Sequence, residues 1–171
     1  MRLIVLLLML CTAAPAAAGE LTLQPPATAV AIRAYGIGFL PFDGKFNRFH
    51  GIMRYDDQQP EKCQVMLEID PSSVQMSSQS MTERVTGADF LDVARYPNMG
   101  FSGTCQGDGV SGTLTMHGQT HPLSLELKRT GRHLTATAHL PRAEWGITSH
   151  PLTVGRTIRI QVDLPYPGEH A

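Results

Sequence analysis

The sequence predicts an all-β protein, an antiparallel barrel of roughly eight strands crossed once by a short helix. Three observations predict it. Four segments alternate apolar and polar residues with the two-residue period of a half-buried strand. The joints between segments are rich in Gly, Pro and Asp, as hairpin turns require. A single stretch, 85–97, replaces the alternation with a helical pattern. At 171 residues the chain is most simply one domain behind a leader.

The leader is "MRLIVLLLMLCTAAPAAAGE". Arg2 is its basic start, Leu3 to Leu10 its apolar run, and Ala16-Ala17-Ala18 its small-residue cleavage site. Residues 1–18 are therefore expected to be a secretory signal peptide and 19–171 the mature domain. The apolar run is too short for a membrane anchor. Cys11 follows Leu10, where a lipidation site wants a small residue, so Cys11 is expected to leave with the signal. No second long apolar run follows, so no transmembrane segment is expected in the mature chain. With 14 basic and 15 acidic side chains, nothing steers the protein to nucleic acid.

In chain order, weak strand patterns fall at 29–37 and 46–55. Strong alternation then puts Cys63, Val65, Leu67 and Ile69 on one face, opposite Gln64, Met66 and Glu68. The helix follows over 85–97, with Thr86 as its cap and Asp89 as a capping-box partner. Val85 and Phe90 form its hydrophobic staple, and Pro97 stops it. Weak strands return at 99–105 and 110–117. Three clear alternations close the chain: Leu123, Leu125 and Leu127; Leu134, Ala136, Ala138 and Leu140; and Ile158, Ile160, Val162 and Leu164.

Most of these strands are shorter than the roughly 9–11 residues a membrane barrel needs, and aromatics make up only 6% of the chain. The apolar faces are therefore taken as inward. Whether the interior is hollow stays open. Gly103, Ala136 and Ala138 on the inner face either leave room for a ligand or oppose larger neighbours.

Two cysteines remain after the leader. If the strands flanking the crossover helix pair antiparallel with Ile69 opposite Met99, Cys63 meets Cys105. An even cysteine count in an exported chain favours a disulfide there; two buried free thiols are the alternative.

His117 and His121 are four residues apart, a spacing used by zinc sites on helices. Gly118 and Pro122 argue for a hairpin instead, turning at 118–120, with both histidines as solvated turn residues. No metal site is assigned. There is no Gly-x-Ser-x-Gly elbow and no phosphate-cradling loop before a helix, so no catalytic residue is assigned and an enzyme is not expected. Trp145, the single tryptophan, would wall a pocket or plug the core. Arg142 would meet a polar headgroup at the mouth or fix a turn.

Three stretches carry a resemblance to a known family. "DFLDVARYPNMGFSG" (89–103) resembles its acidic-aromatic helix followed by Tyr-Pro and a strand Phe. "GTLTMHGQTHPLSLEL" (112–127) is similar to its Gly-x-Leu-Thr-x-x-Gly-x-Thr-x-Pro hairpin, and "RAEWGI" (142–147) to its Arg-x-acid-aromatic-Gly element. The family is that of the YceI-like proteins, exported lipocalin-like β-barrels. The region after the leader departs from it, lacking the family's tryptophan and Asp-x-x-His-Ser opening, and "GIGFLPFDGKFNRFHG" matches only loosely.

The resemblance implies a periplasmic protein that binds, sequesters or transports a long apolar lipid, a polyisoprenoid or an isoprenoid quinone, with no cofactor beyond that ligand. The lining would be drawn from the inner-face residues Val65, Leu67, Ile69, Phe101, Leu114, Met116, Leu123, Leu125, Leu127, Leu134, Ala136, Leu140, Trp145, Ile158, Ile160 and Val162. Two other classes stand beside this one: a solid-cored module that binds an envelope partner, and an enzyme using a histidine-bound metal in the pocket.

Overall fold

The structure, a computed structural model, describes residues 18–56 and 59–165. The expected signal peptide lies outside the described residues except for Ala18. The strands are β1 (Ala18–Leu23), β2 (Ala29–Tyr35), β3 (Pro41–Phe46), β4 (Phe49–Asp56), β5 (Gln59–Ile69) and β6 (Val74–Met76). After helix α1 (Gln79–Thr86) come β7 (Met99–Gln106), β8 (Gly109–Met116), β9 (Gln119–Thr130), β10 (His133–Pro141) and β11 (Thr157–Pro165). All pair antiparallel in one curled sheet, in the order β1-β4-β5-β7-β8-β9-β10-β11-β2-β3-β6.

The sheet has eleven strands where the sequence suggested roughly eight. The difference lies at one level of the wall, where three long strands are interrupted. β1 runs into β2 through 24–28, β3 into β4 through Asn47 and Arg48, and β5 into β6 through 70–73. Pairing carries on across the break, since Asn47 N–H donates to the Ser73 carbonyl (3.2 Å) and Asp70 N–H to the Arg48 carbonyl (3.1 Å). The β4–β5 and β3–β6 ladders are thus two halves of one bent pair. The two extremes of the sheet, β1 and β6, are joined by the chain to strands at the opposite extreme, and this wraps the sheet around its core.

The interruption has local causes. Pro25 and Pro26 lack the N–H a ladder needs, and the Pro25–Pro26 bond is cis. Pro71 starts a 3-10 turn capped by the Asp70 carboxylate, which accepts from Ser72 N–H at 2.8 Å. Arg48 ties the two corners together, donating to Asp70 (2.9 Å) and Ser72 (2.9 Å). The expected strand 46–55 ran across this break, and β1, β3 and β6 were not foreseen. β3 reads PFDGKF, with three residue types that strands disfavour, and β6 is only three residues long.

The crossover element is present but lies earlier than expected. Its cap is Ser78, whose hydroxyl accepts from Met81 N–H (3.3 Å), and Gly87 ends it. Thr86 is not a cap. It is the last helical residue, and its hydroxyl bonds back to the Thr82 carbonyl (2.9 Å). Residues 88–95 form successive turns, with Leu91, Asp92 and Val93 N–H groups reaching back to the carbonyls of 85–87. Gly87 breaks the helical pattern on which the expected helix rested.

The register of β5 on β7 is as expected. Ile69 faces Met99, and Cys63 and Cys105 form a disulfide with Cα atoms 4.7 Å apart. The turn between β8 and β9 is tighter than expected, only His117 and Gly118, with φ of 52° and 72°. That is the two-residue left-handed turn that matches strand twist, and its second position suits glycine.

Candidate functional site

The inner faces of the strands enclose a cavity of about 110 Å³. Every residue lining it is apolar, and its one cysteine, Cys105, is held in the disulfide. The reason is the period of the strands: residues i, i+2 and i+4 point the same way, so the apolar half of each alternation meets in the middle. Leu134, Ala136 and Leu140 face inward from β10, while His133 and His139 remain exposed. The interior is hollow, though the void is small. It falls below the roughly 150 Å³ of a dry engineered cavity that accepts benzene.

Of the sixteen lining candidates, all but Trp145 border this cavity. Ten further residues border it too, among them Leu23, Val30, Phe46, Met53, Leu91 and Met99. Leu164 was legible, since it continues the inner face of Ile158, Ile160 and Val162. Leu23 and Leu91 were not, because one lies beside the leader and the other in an irregular crossover. The small inward residues divide in their roles. Ala136 borders the void, whereas Gly103 gives way to a neighbour: a Cβ there would meet the Phe101 ring at 2.8 Å.

Trp145 is fully buried and plugs the core instead of lining the cavity. Its indole N–H donates to the Leu114 carbonyl at 3.2 Å, and the His121 ring meets it edge-on at 5.2 Å. Its own carbonyl accepts from His117 Nδ1 at 3.0 Å; a carbonyl can only accept, so Nδ1 carries the proton. Tyr96 packs against the His117 ring at 4.4 Å. Both histidines are thus partly buried packing groups of the β8–β9 turn and not solvated ones, because the turn folds onto Trp145. Among the described residues no group of three or more His, Cys, Asp or Glu side chains could hold a metal ion.

Arg142 is placed where sequence reasoning did not foresee. It is buried at 3% exposure in the 3-10 turn after β10, with no carboxylate partner. Its guanidinium spends all five N–H groups on backbone carbonyls: Gly155 (2.9 Å), Ile147 (2.8 Å), Ser149 (2.7 Å), Val154 (3.3 Å) and His150 (3.5 Å). Burial pushes its pKa below the usual arginine value, yet an arginine so hydrogen-bonded stays charged. No donor is left for a headgroup. Arg142 is the staple of loop 146–156, and the headgroup expectation is corrected accordingly. It does fix a turn, but through carbonyls.

An open, mixed-polarity crevice lies outside the wall, lined by Arg48, His50, Glu68, Asp70 and Asn98. Ile69 and Met99 border both this crevice and the inner cavity.

The comparisons with known proteins agree with this architecture. A UPF0312 protein of Yersinia pestis is 34% identical over 108 residues, covering 60% of this chain and 56% of the relative. A YceI protein of Salmonella arizonae is 31% identical over 108 residues with the same coverage. These matches span just over half the length of the curated relatives. Among solved structures, BcnA of Burkholderia cenocepacia superposes with a TM-score of 0.66 at 19% identity, covering 80% of this chain and 94% of that one. A polyisoprenoid binding domain from Saccharophagus degradans superposes with a TM-score of 0.61 at 14% identity, covering 89% and 99%. At such identities these structures establish the fold alone. Residues 21–166 match the YceI-like domain, and with that span of the curled sheet accounted for, the chain belongs to the YceI-like family.

Proposed function

We propose that this protein binds a long apolar lipid, a polyisoprenoid or an isoprenoid quinone, inside its barrel and carries or sequesters it in the periplasm. The observation that carries the reading is the wholly apolar lining of the inner cavity. Such a lining offers no group to polarise a bond or move a proton, so binding rather than catalysis is the chemistry it supports. The Saccharophagus degradans neighbour, described as polyisoprenoid binding, is consistent with an isoprenoid chain. The leader read in the sequence supports an exported location.

The energetics set a size requirement. Micromolar affinity needs about 8 kcal/mol net, and each buried methylene supplies roughly 0.8 kcal/mol before ordering costs. A ligand of well over ten carbons is therefore required, more than a void of about 110 Å³ holds. Side chains must move aside as the chain enters. Met53, Met99 and Met116 on the lining suit this, since methionine repacks readily.

The test is solvent extraction of the protein purified from its native host, followed by mass spectrometry. Isoprenoid lipid in near-stoichiometric amount is expected. The variant Ala136→Phe, which places a ring in the void, should fold and yield at least tenfold less. Wild-type extracts free of lipid, with no uptake of added polyprenol, would end the proposal.

A further inference from the structure

Among the described residues most large apolar side chains are covered, but those of two neighbouring loops are not. Ile37 (68% exposed), Phe39 (88%) and Leu40 (63%) occupy the loop between β2 and β3, and Leu152 (93%) occupies the loop before β11. These are separate segments that the backbone ties together. Gly36 forms a bridge with Val154, and Gly155 N–H donates to the Tyr35 carbonyl at 2.7 Å. Gly155 eases the approach of the two segments, since a Cβ there would sit 3.0 Å from the Tyr35 carbonyl oxygen; a Cβ on Gly36 would strike the Phe42 ring of its own segment at 2.3 Å. The Arg142 staple holds the second loop from below, through its carbonyls at 149, 150, 154 and 155.

The loops are also held in unfavourable backbone. Phe39 (φ 63°) and His150 (φ 55°) are non-glycine residues in the left-handed region, a conformation that persists only when the surroundings impose it. A flexible loop would fold its apolar tips back onto the protein; this pair is pinned with them outward. An exposed apolar cluster of this kind marks an interaction surface.

We propose that these paired loops are a membrane-docking tip, inserting Ile37, Phe39, Leu40 and Leu152 into the outer layer of a lipid bilayer. Two observations favour a bilayer. Arg156, exposed on the same stretch and without an ion pair among the described residues, can meet lipid phosphate. The first loop follows β2 and the second precedes β11, paired strands whose Ile32 and Ile158 border the cavity, so docking would bring that end of the cavity toward the membrane. The inference rests on the lipid-carrying reading above, because a bilayer is where an insoluble cargo is collected or delivered.

The experiment is flotation of the purified protein with vesicles of phosphatidylethanolamine and phosphatidylglycerol, comparing wild type, Phe39→Ser/Leu152→Ser, and Met66→Ser. Met66, 54% exposed on the outer face of β5, is the control for an apolar side chain elsewhere. Wild type and Met66→Ser should float. Loss of two apolar anchors should weaken partitioning at least tenfold, by the roughly 1.5–3 kcal/mol each large side chain contributes on burial. All three proteins should melt alike and take up polyprenol alike from detergent. Wild type that stays at the bottom of the gradient, or a double variant that floats as well as wild type, overturns the proposal. So does a wild-type dimer, seen by light scattering without vesicles, that the double variant abolishes; the loops would then cover a second copy. Flotation without any polyprenol uptake from detergent leaves the docking tip standing and removes the cargo reading instead.

Discussion

Reducing the Cys63–Cys105 disulfide should cost this protein a large fraction of its stability. The bond closes a loop between residues 42 apart in the chain. Cross-linking removes about 2.1 + 1.5R ln n cal/mol/K from the unfolded ensemble, which for a loop of that length comes to about 4 kcal/mol at 25 °C. A typical domain has only about 5–15 kcal/mol in total. Native geometry should change little, because β5 and β7 already hold the two cysteines in register through the ladder from Gln64–Thr104 to Ile69–Met99. The effect therefore lies in the unfolded chain. The assay is urea unfolding of oxidised and reduced protein, followed by fluorescence of Trp145, which is fully buried in the folded state. At a slope of about 2 kcal/mol/M, the midpoint should fall by roughly 2 M on reduction, with the slope little changed. Midpoints within about 0.5 M of each other would refute the loop-entropy argument, which sets stability of this size on closing the loop.

Three further predictions rest on single residues. Arg142→Met leaves five buried or half-buried carbonyls without their donor and should cost about 3 kcal/mol or more, while lipid recovered per folded molecule stays unchanged. A stable variant that loses lipid would restore a headgroup role. Asp70 has its carboxyl held below the usual range, first by the Ser72 hydroxyl and then by Arg48. A carboxyl depressed in the folded state stabilises above its unfolded pKa and loses that contribution as pH falls through the folded value, so stability should decline below about pH 4. Asp70→Asn should flatten that decline in a thermal-melt series. Gly118→Ala should cost about 1–2 kcal/mol for the left-handed backbone alone. The new methyl would also meet the Tyr96 ring at 2.6 Å, so a melt unchanged from wild type would contradict the turn geometry.

The strand alternations over 62–70, 123–128, 134–140 and 158–164 were read from sequence and stand in the structure, because a two-residue period has a single physical meaning once one face is dry. The disulfide followed from the same register. Fifteen of the twenty-five cavity-lining residues were named from sequence for the same reason. What failed were the elements set by irregular backbone. The helix was placed over 85–97 because capping residues and an apolar face were present there, but Ser78 offers an equally good cap eight residues before Thr86 and Gly87 stops the helix begun there. The eleven-strand count came from three interruptions at one level of the wall, and only the Pro-Pro and Asp-Pro steps hinted at them.

By itself, then, the sequence determined the class, the inward face, the register of β5 on β7 and the apolar character of the interior. These are local or periodic properties, written in the spacing of residue types. The tertiary structure decided that the interior keeps a void of about 110 Å³, that Trp145 fills the core beside it, and that Arg142 spends its charge on a loop. It also decided which apolar side chains were left outside, on two loops over a hundred residues apart in the chain. Such outcomes depend on which distant groups compete for the same space and the same hydrogen bonds, and no spacing along one strand encodes that competition.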